Sequence, residues 1–155
     1  MSEWLKNPSA LFDLRGKVAV VTGASGAFGA LASKVLAGAG ARLVLAAGNQ
    51  AALEETATAC RDLGADVRTV ARRPSTGADC TAIMDAAIEA WDQLDILVVG
   101  SGLNDPCPIV EMTLERFESV MDGNVTSTWL LCKVFGERVI PRGVGGKVVL
   151  VSSAR

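Results

Sequence analysis

The sequence predicts an α/β protein in which helices cover both faces of a parallel β-sheet. The first observation is that short apolar runs recur along the chain, separated by longer segments of helical composition. The second is that most of these runs, with 18–21 as the clearest, are continuous apolar stretches rather than alternating ones, which is typical of strands buried on both faces. The five predicted strands are 18–21, 42–46, 66–71, 94–99 and 147–151.

The third observation is a glycine-rich turn directly after the first strand. Gly23, Gly26 and Gly29 separate this strand from a helical segment that continues to about Ala37. A strand, a glycine turn and a helix in this order direct backbone N–H groups and the positive end of a helix dipole toward an anion. Glycines also mark ordinary turns, but the strand and the helix on either side favour an anion site.

The other elements follow in alternation and form one predicted domain, residues 1–155, with an N-terminal arm at 1–16. The first helix stops at the glycines of 38–40, and the later predicted helices are 50–63, 78–91 and a long region at 113–139. This alternation predicts the strand order 3-2-1-4-5 of a Rossmann-type doubly wound sheet, incomplete on its C-terminal side.

Parallel strands bring the turns that follow them to one edge of the sheet, where ligands of such folds bind. The predicted turns at this edge are 22–29, 47–49, 100–102 and 152–155. We therefore expect a ligand crevice there, bordered after the second strand by Gly48 and Asn49 and after the fourth by Gly100, Ser101 and Gly102.

The composition excludes several classes of protein. With 155 residues, 50% of them hydrophobic, and a formal net charge of −2, the chain fits a globular protein and not a nucleic-acid-binding one. The sequence has neither an apolar run long enough to span a membrane nor a signal peptide, so we predict a cytoplasmic protein. The four cysteines are widely spaced and there is no histidine, so we expect no metal site.

The first turn resembles that of the short-chain dehydrogenase/reductase family, which reads Thr-Gly-x-x-x-Gly-x-Gly. Thr22, Gly23 and Gly29 match this pattern, while Ala27 holds the place of the middle glycine and Gly26 lies one residue early. The resemblance implies that the turn binds the diphosphate of a nicotinamide dinucleotide. The implied cofactor-binding residues of this turn are Gly23, Ser25, Gly26, Ala27, Phe28 and Gly29.

The resemblance extends along the chain with departures from the family pattern. Arg73-Pro74 stands where the family has Asp-Val, and 99–102 reads Val-Gly-Ser-Gly instead of Asn-Asn-Ala-Gly. Asn124 matches the family asparagine that organises a proton-relay water, and Ser153 matches the serine that holds the substrate carbonyl. Without the resemblance, Asn124 would be read as a packing or turn residue and Ser153 as part of an ordinary loop.

The turn after the second strand selects between the two nicotinamide cofactors. An acid there accepts a hydrogen bond from the ribose 2′-hydroxyl of NAD, whereas a nearby arginine accommodates the 2′-phosphate of NADP. Residues 47–49 read Ala-Gly-Asn and carry no charge. Because the acid is missing, the sequence favours NADP slightly over NAD.

The family reaction needs a tyrosine and a lysine in a Tyr-x-x-x-Lys motif, and this chain contains no tyrosine. The leading hypothesis is the cofactor-binding part of an oxidoreductase that acts on a small carbonyl or alcohol. We expect the sequence to be a truncated chain, because the last strand would otherwise form an exposed apolar edge. The alternative is a non-catalytic subunit beside an active partner.

We also expect a homo-oligomer, a dimer or tetramer, or a hetero-oligomer, because the region 113–139 has more apolar surface than one helix face needs.

Overall fold

The computed structural model describes residues 6–152 and shows one five-stranded parallel sheet. The strands are paired in the order β3-β2-β1-β4-β5, which confirms the predicted topology. In the register of the sheet, Ala19 of the central strand lies between Leu43 on one side and Ile96 on the other. The strands are β1 (Val18–Thr22), β2 (Arg42–Ala46), β3 (Val67–Val70), β4 (Ile96–Val99) and β5 (Lys147–Leu150).

Within residues 6–152, five α-helices flank the sheet, and each of the first three connects one strand to the next. Their bounds are α1 (Ala27–Gly38), α2 (Gln50–Asp62), α3 (Gly77–Trp91), α4 (Leu114–Met121) and α5 (Ser127–Val139). Short 3₁₀ turns occupy Pro8–Phe12 and Ile140–Arg142. In residues 6–152, no helix is both long and apolar enough to cross a membrane.

The long helical region predicted at 113–139 is present from Leu114 to Val139, with a π turn at Asp122–Thr126 separating α4 from α5. The wider turn brings Gly123 against Leu103: a Cβ atom at Gly123 would lie 3.2 Å from the Leu103 Cβ. A π turn inserts one extra residue into the helical ladder and is common at functional sites. The hydrophobic pattern could not predict it, since the apolar positions continue on both sides.

Two predicted strands also begin later than expected. β3 begins at Val67 instead of residue 66, and β4 begins at Ile96 instead of residue 94. The residue just before each of these strands is an aspartate whose side chain accepts a hydrogen bond. The Asp95 carboxylate accepts from the Val18 N–H at 2.9 Å. The Asp66 carboxylate likewise accepts from the Trp91 indole N–H at 2.9 Å.

The core lies on both faces of the sheet. Val18 and Val20 of β1 pack toward α3 and α5, while Ala19 and Val21 pack toward α1 and α2. All five residues of β1 are buried. This arrangement explains the continuously apolar strands, because successive side chains of a central strand enter opposite layers of the core.

The two ends of the described chain differ in how they pack. In the N-terminal arm, the Leu14 N–H donates to the Ala39 carbonyl at 2.8 Å, and Leu14 packs against the core. In the described residues β5 is an edge strand paired with β4 alone. Its apolar side chains stay accessible, with Val149 48% exposed. The exposed apolar edge expected from the sequence is thus present.

Candidate functional site

A cleft of about 680 Å³ opens at the edge of the sheet where the carboxyl ends of β1, β2 and β4 meet. Eight of the residues predicted for the site line it: Gly23, Ser25, Gly26, Gly48, Asn49, Gly100, Ser101 and Gly102. Ala27, Phe28, Gly29 and Asn124 lie on the elements around the cleft and are not part of its lining. Ser153 falls outside the described residues. The binding roles of all these residues stay predictions.

The turn between β1 and α1 is close-packed backbone. Gly23 has a φ of +68°, and a Cβ atom there would lie 2.6 Å from the Ser101 backbone nitrogen. A Cβ atom at Gly29 would lie 2.7 Å from the Gly23 carbonyl carbon. Both positions therefore require glycine, since side chains cannot approach backbone atoms this closely. The result is a tight turn, of which Gly23, Ser25 and Gly26 line the cleft.

The N-terminus of α1 is the part of this turn suited to an anion. Its N-cap residue is Gly26, so no side chain accepts from the first N–H groups of the helix. Unpaired N–H groups at a helix start need a partner, and a phosphate is one that fits. Ala27, in place of the family's middle glycine, is an exposed residue at the start of α1. The residues present therefore fit a diphosphate.

The turn between β2 and α2 is built differently. Asn49 is the N-cap of α2, and its Oδ1 accepts a hydrogen bond from the Ala52 N–H at 3.2 Å. The side chain of Arg73, from the loop after β3, lies across Gly48: a Cβ atom at Gly48 would be 2.7 Å from the Arg73 Nε. Arg73, Pro74 and Ser75 complete this side of the cleft. Sequence reasoning noted Arg73 only as a departure from the family pattern.

The loop after β4 is tied to its neighbours on both sides. The Ser101 and Thr22 hydroxyls form a hydrogen bond of 2.9 Å, which joins the loop to the end of β1. The Asn124 side chain binds the Leu103 backbone twice: its Oδ1 accepts from the N–H at 2.9 Å, and its Nδ2 donates to the carbonyl at 2.7 Å. A Cβ atom at Gly102 would lie 2.6 Å from the Asn124 Oδ1. Asn124 thus holds the loop against the π turn.

The wall opposite the glycine turn carries carboxylates that sequence reasoning missed. Glu115, Glu118 and Asp122 line the cleft from α4 and the start of the π turn. Hydrogen bonds from its own backbone and from Thr113 lower the pKa of Glu115. The spacing of three and four residues places the three carboxylates on one helix face, and this spacing was the available signal. The cleft lining therefore combines Gly23, Ser25 and Gly26 of the glycine turn with three acidic residues.

A second contact fixes the loop between β4 and α4. The Arg116 guanidinium forms an ion pair with the Asp105 carboxylate and donates to the Cys107 Sγ at 3.2 Å. The hydrogen bond from Arg116 lowers the pKa of Asp105. Among the described residues, no group of three His, Cys, Asp or Glu side chains is arranged to hold a metal ion.

Comparisons with known proteins agree with the fold. The profile of the short chain dehydrogenase family matches residues 17–155, so the chain belongs to this family. An uncharacterized oxidoreductase of Mycobacterium tuberculosis is 43% identical over 149 residues, which cover 94% of this chain and 53% of the relative. The chain thus spans about half the length of the curated relatives it matches.

Solved structures show the same architecture. A short-chain type dehydrogenase/reductase from Mycobacterium marinum superposes with a TM-score of 0.90 at 28% identity, covering 93% of this chain and 58% of that one. A short chain dehydrogenase from Mycobacterium paratuberculosis, solved bound to NAD, gives a TM-score of 0.85 at 28% identity, covering 91% of this chain and 57% of that one.

Proposed function

We propose that this chain is the cofactor-binding part of an NAD(P)-dependent oxidoreductase that transfers hydride between a nicotinamide and a small carbonyl or hydroxyl substrate. The observation that carries the proposal is the uncapped N-terminus of α1, presented by a glycine turn at the carboxyl edge of the sheet. The family membership and the NAD-bound relative support the same cofactor class.

In this proposal, different residues of the cleft bind different parts of the dinucleotide. The backbone N–H groups at the start of α1 bind the diphosphate, and Gly48 and Asn49 contact the adenosine ribose. Gly100, Ser101 and Gly102 border the nicotinamide side of the cleft, where the bound nicotinamide supplies or accepts hydride. Asn124 positions this loop through its bonds to Leu103.

The proton-transfer part of the site is incomplete within these residues. Asn124 and Ser153 correspond to the family's relay asparagine and carbonyl-binding serine, but the chain has no tyrosine to act as proton donor. We infer that the tyrosine and lysine lie in a part of the protein beyond residues 1–155. An intact mass well above 16.1 kDa for the protein purified from its natural source is the expected result. A monodisperse monomer of 16.1 kDa would contradict this inference.

Direct binding tests the cofactor assignment. The full-length protein is expected to enhance the fluorescence of NADH or NADPH and to melt at a higher temperature in its presence, because a ligand that binds the native state stabilises it. ATP at the same concentration serves as the control for general nucleotide binding. If neither dinucleotide gives a response, the proposed function is wrong.

A non-catalytic role is the second candidate function. Three departures from the family pattern favour it: Ala27 for the middle glycine, the uncharged Ala47-Gly48 turn, and Val99-Gly100 in place of two asparagines. A protein of this kind would bind the dinucleotide, or an active homologue, without turning over alcohols or carbonyls. Full-length protein that binds the cofactor, lacks Tyr-x-x-x-Lys and oxidises no member of an alcohol panel would support this role over the enzyme.

The remaining proposals concern the choice between NAD and NADP, the location of the protein and its oligomeric state. We infer a slight preference for NADP over NAD, since the turn after β2 has no acid, and a cytoplasmic location. We also infer an oligomer formed through the exposed apolar side chains of α4 and α5, among which Phe117 is 50% and Trp129 61% exposed. An oligomer that persists by light scattering after the substitution Trp129→Asp would argue against this interface.

A further inference from the structure

Two adjacent arginines after β3 have different environments. The Arg72 guanidinium donates to the Asp79 carboxylate at 3.1 Å, at the start of α3. The Arg73 side chain forms neither an ion pair nor a hydrogen bond with any residue of 6–152, although its backbone carbonyl accepts from the Ser75 N–H, and Arg73 lines the cleft. Of two neighbouring positive charges, one is therefore neutralised by the fold and the other is left available to a ligand.

Arg73 is positioned by a contact that depends on Gly48. A Cβ atom at Gly48 would lie 2.8 Å from the Arg73 Cγ, 2.7 Å from its Nε and 3.2 Å from its Cδ. The arginine stem therefore lies directly on the Gly48 backbone. This places the guanidinium beside the turn that follows β2, although Arg73 belongs to the next loop of the chain.

The turn itself adds hydrogen-bond donors and no negative charge. Asn49 uses its Oδ1 to cap α2, which leaves its Nδ2 group as a donor without a partner among the described residues. Residues 47–49 contain no acid that would pair with Arg73 or repel an anion. Next to Gly48, the Asn49 amide and the Arg73 guanidinium thus offer hydrogen-bond donors, and the positive charge of Arg73 has no acidic partner among the described residues.

From this arrangement we propose that Arg73 recognises a phosphomonoester on the 2′-position of the dinucleotide's adenosine ribose, with the Asn49 amide as a second donor. The inference rests on the proposed function, since the ribose reaches Gly48 only if the diphosphate lies on α1. It goes further by naming the residue that would make the chain select the phosphorylated cofactor. A planar guanidinium with several N–H donors suits such a phosphate dianion.

The test compares Arg73→Gln with the matched control Arg72→Gln, which removes the same charge from the adjacent residue. Dissociation constants for NADPH and NADH are measured by calorimetry on the full-length protein. Arg73→Gln is expected to weaken NADPH binding about ten- to a hundredfold, the range for a lost charge-assisted hydrogen bond. Its NADH affinity and the NADPH affinity of Arg72→Gln are each expected to change by less than about threefold.

Gly48→Ala provides a second variant, because an added Cβ displaces the Arg73 side chain without removing its charge. It is expected to lower the affinity for NADPH relative to that for NADH, as Arg73→Gln does. Adenosine 2′,5′-bisphosphate and 5′-AMP serve as probes that lack the nicotinamide, and only the bisphosphate is expected to lose affinity in Arg73→Gln.

The outcomes separate this inference from the proposed function. If the unmodified protein binds neither dinucleotide, both fail. If it binds NADH as tightly as NADPH, or if Arg73→Gln weakens the two equally or not at all, the inference on Arg73 is wrong while the dinucleotide site stands. A loss confined to 2′-phosphorylated ligands supports it.

Discussion

The turns after β1 and β2 leave parallel strands at the same edge of the sheet, yet their helices begin in different ways. α1 starts after Gly26, which has no side chain to cap it, whereas α2 starts after Asn49, whose Oδ1 accepts from the Ala52 N–H. The later helices α3 and α4 follow the second pattern, with Thr76 and Thr113 as capping residues.

The N-terminus of α1 is therefore suited to a ligand, whereas the N-terminus of α2 is capped by the side chain of Asn49. A side-chain cap typically contributes about 1 kcal/mol to stability, so its absence at α1 lowers the stability of the isolated fold. The N–H groups that remain unpaired are those that a diphosphate can bind. At the second turn the Asn49 Oδ1 accepts from the Ala52 N–H, and the recognition that we propose there is by the side chains of Asn49 and Arg73.

The largest expected effect comes from breaking the first turn. Gly29→Val should lower the free energy of unfolding by about 3 kcal/mol, because its side chain would collide with the Gly23 carbonyl group. Urea denaturation measures the change. Gly38→Ala, in the same helix but with no atom within 4 Å of the added methyl group, is the control. It should be neutral or stabilising by up to about 1 kcal/mol, since glycine is unfavourable in a helix. Equal losses in the two variants would show that the turn is not close-packed.

The second prediction concerns a variant that gives α1 a side-chain cap like that of α2. Gly26→Asp should weaken NADPH binding at least about a hundredfold, because the new carboxylate caps α1 and repels the diphosphate. The free energy of unfolding should stay the same or rise by about 1 kcal/mol. Calorimetry and thermal melting measure the two quantities. Gly26→Ala adds only a Cβ and should keep most of the affinity. Undiminished binding in Gly26→Asp would mean that the diphosphate does not bind at α1.

The loop after β4 offers a third test, since a side chain from a distant element holds it. Asn124→Ala removes both hydrogen bonds to the Leu103 backbone. We expect a loss of about 1.5 kcal/mol in the free energy of unfolding and faster hydrogen exchange at Leu103. The exposed Asn104 in the same loop is the control, and Asn104→Ala should change stability by less than about 0.5 kcal/mol. Unchanged exchange at Leu103 would rule out this clamp.

The smallest effect is expected at the capped turn. Asn49→Ala should cost about 1 kcal/mol of stability, because the Ala52 N–H loses its acceptor. Asn49→Ser keeps an oxygen at the N-cap position and should retain most of the stability. Chemical denaturation of both variants in the absence of ligand makes the comparison. Equal stability of Asn49→Ala and the unmodified protein would remove the contrast between the two turns.

The sequence alone determined the parallel sheet, its strand order and the glycine turn at its edge. These features depend on local signals: uninterrupted apolar runs predict strands buried on both faces, and glycines mark their turns. The turns at 22–29, 47–49 and 100–102 could be placed together because parallel topology brings strand ends to one edge. The same reasoning found eight of the residues that line the cleft.

Only the tertiary structure decided how the cleft is completed. Arg73 lies on Gly48, although 24 residues separate them in the sequence, and Asn124 clamps Leu103 from a π turn that interrupts a continuous apolar pattern. Such contacts depend on the distances between elements after packing. Hydrophobic periodicity reports which face of an element is buried, but it does not report which side chains of neighbouring loops will meet.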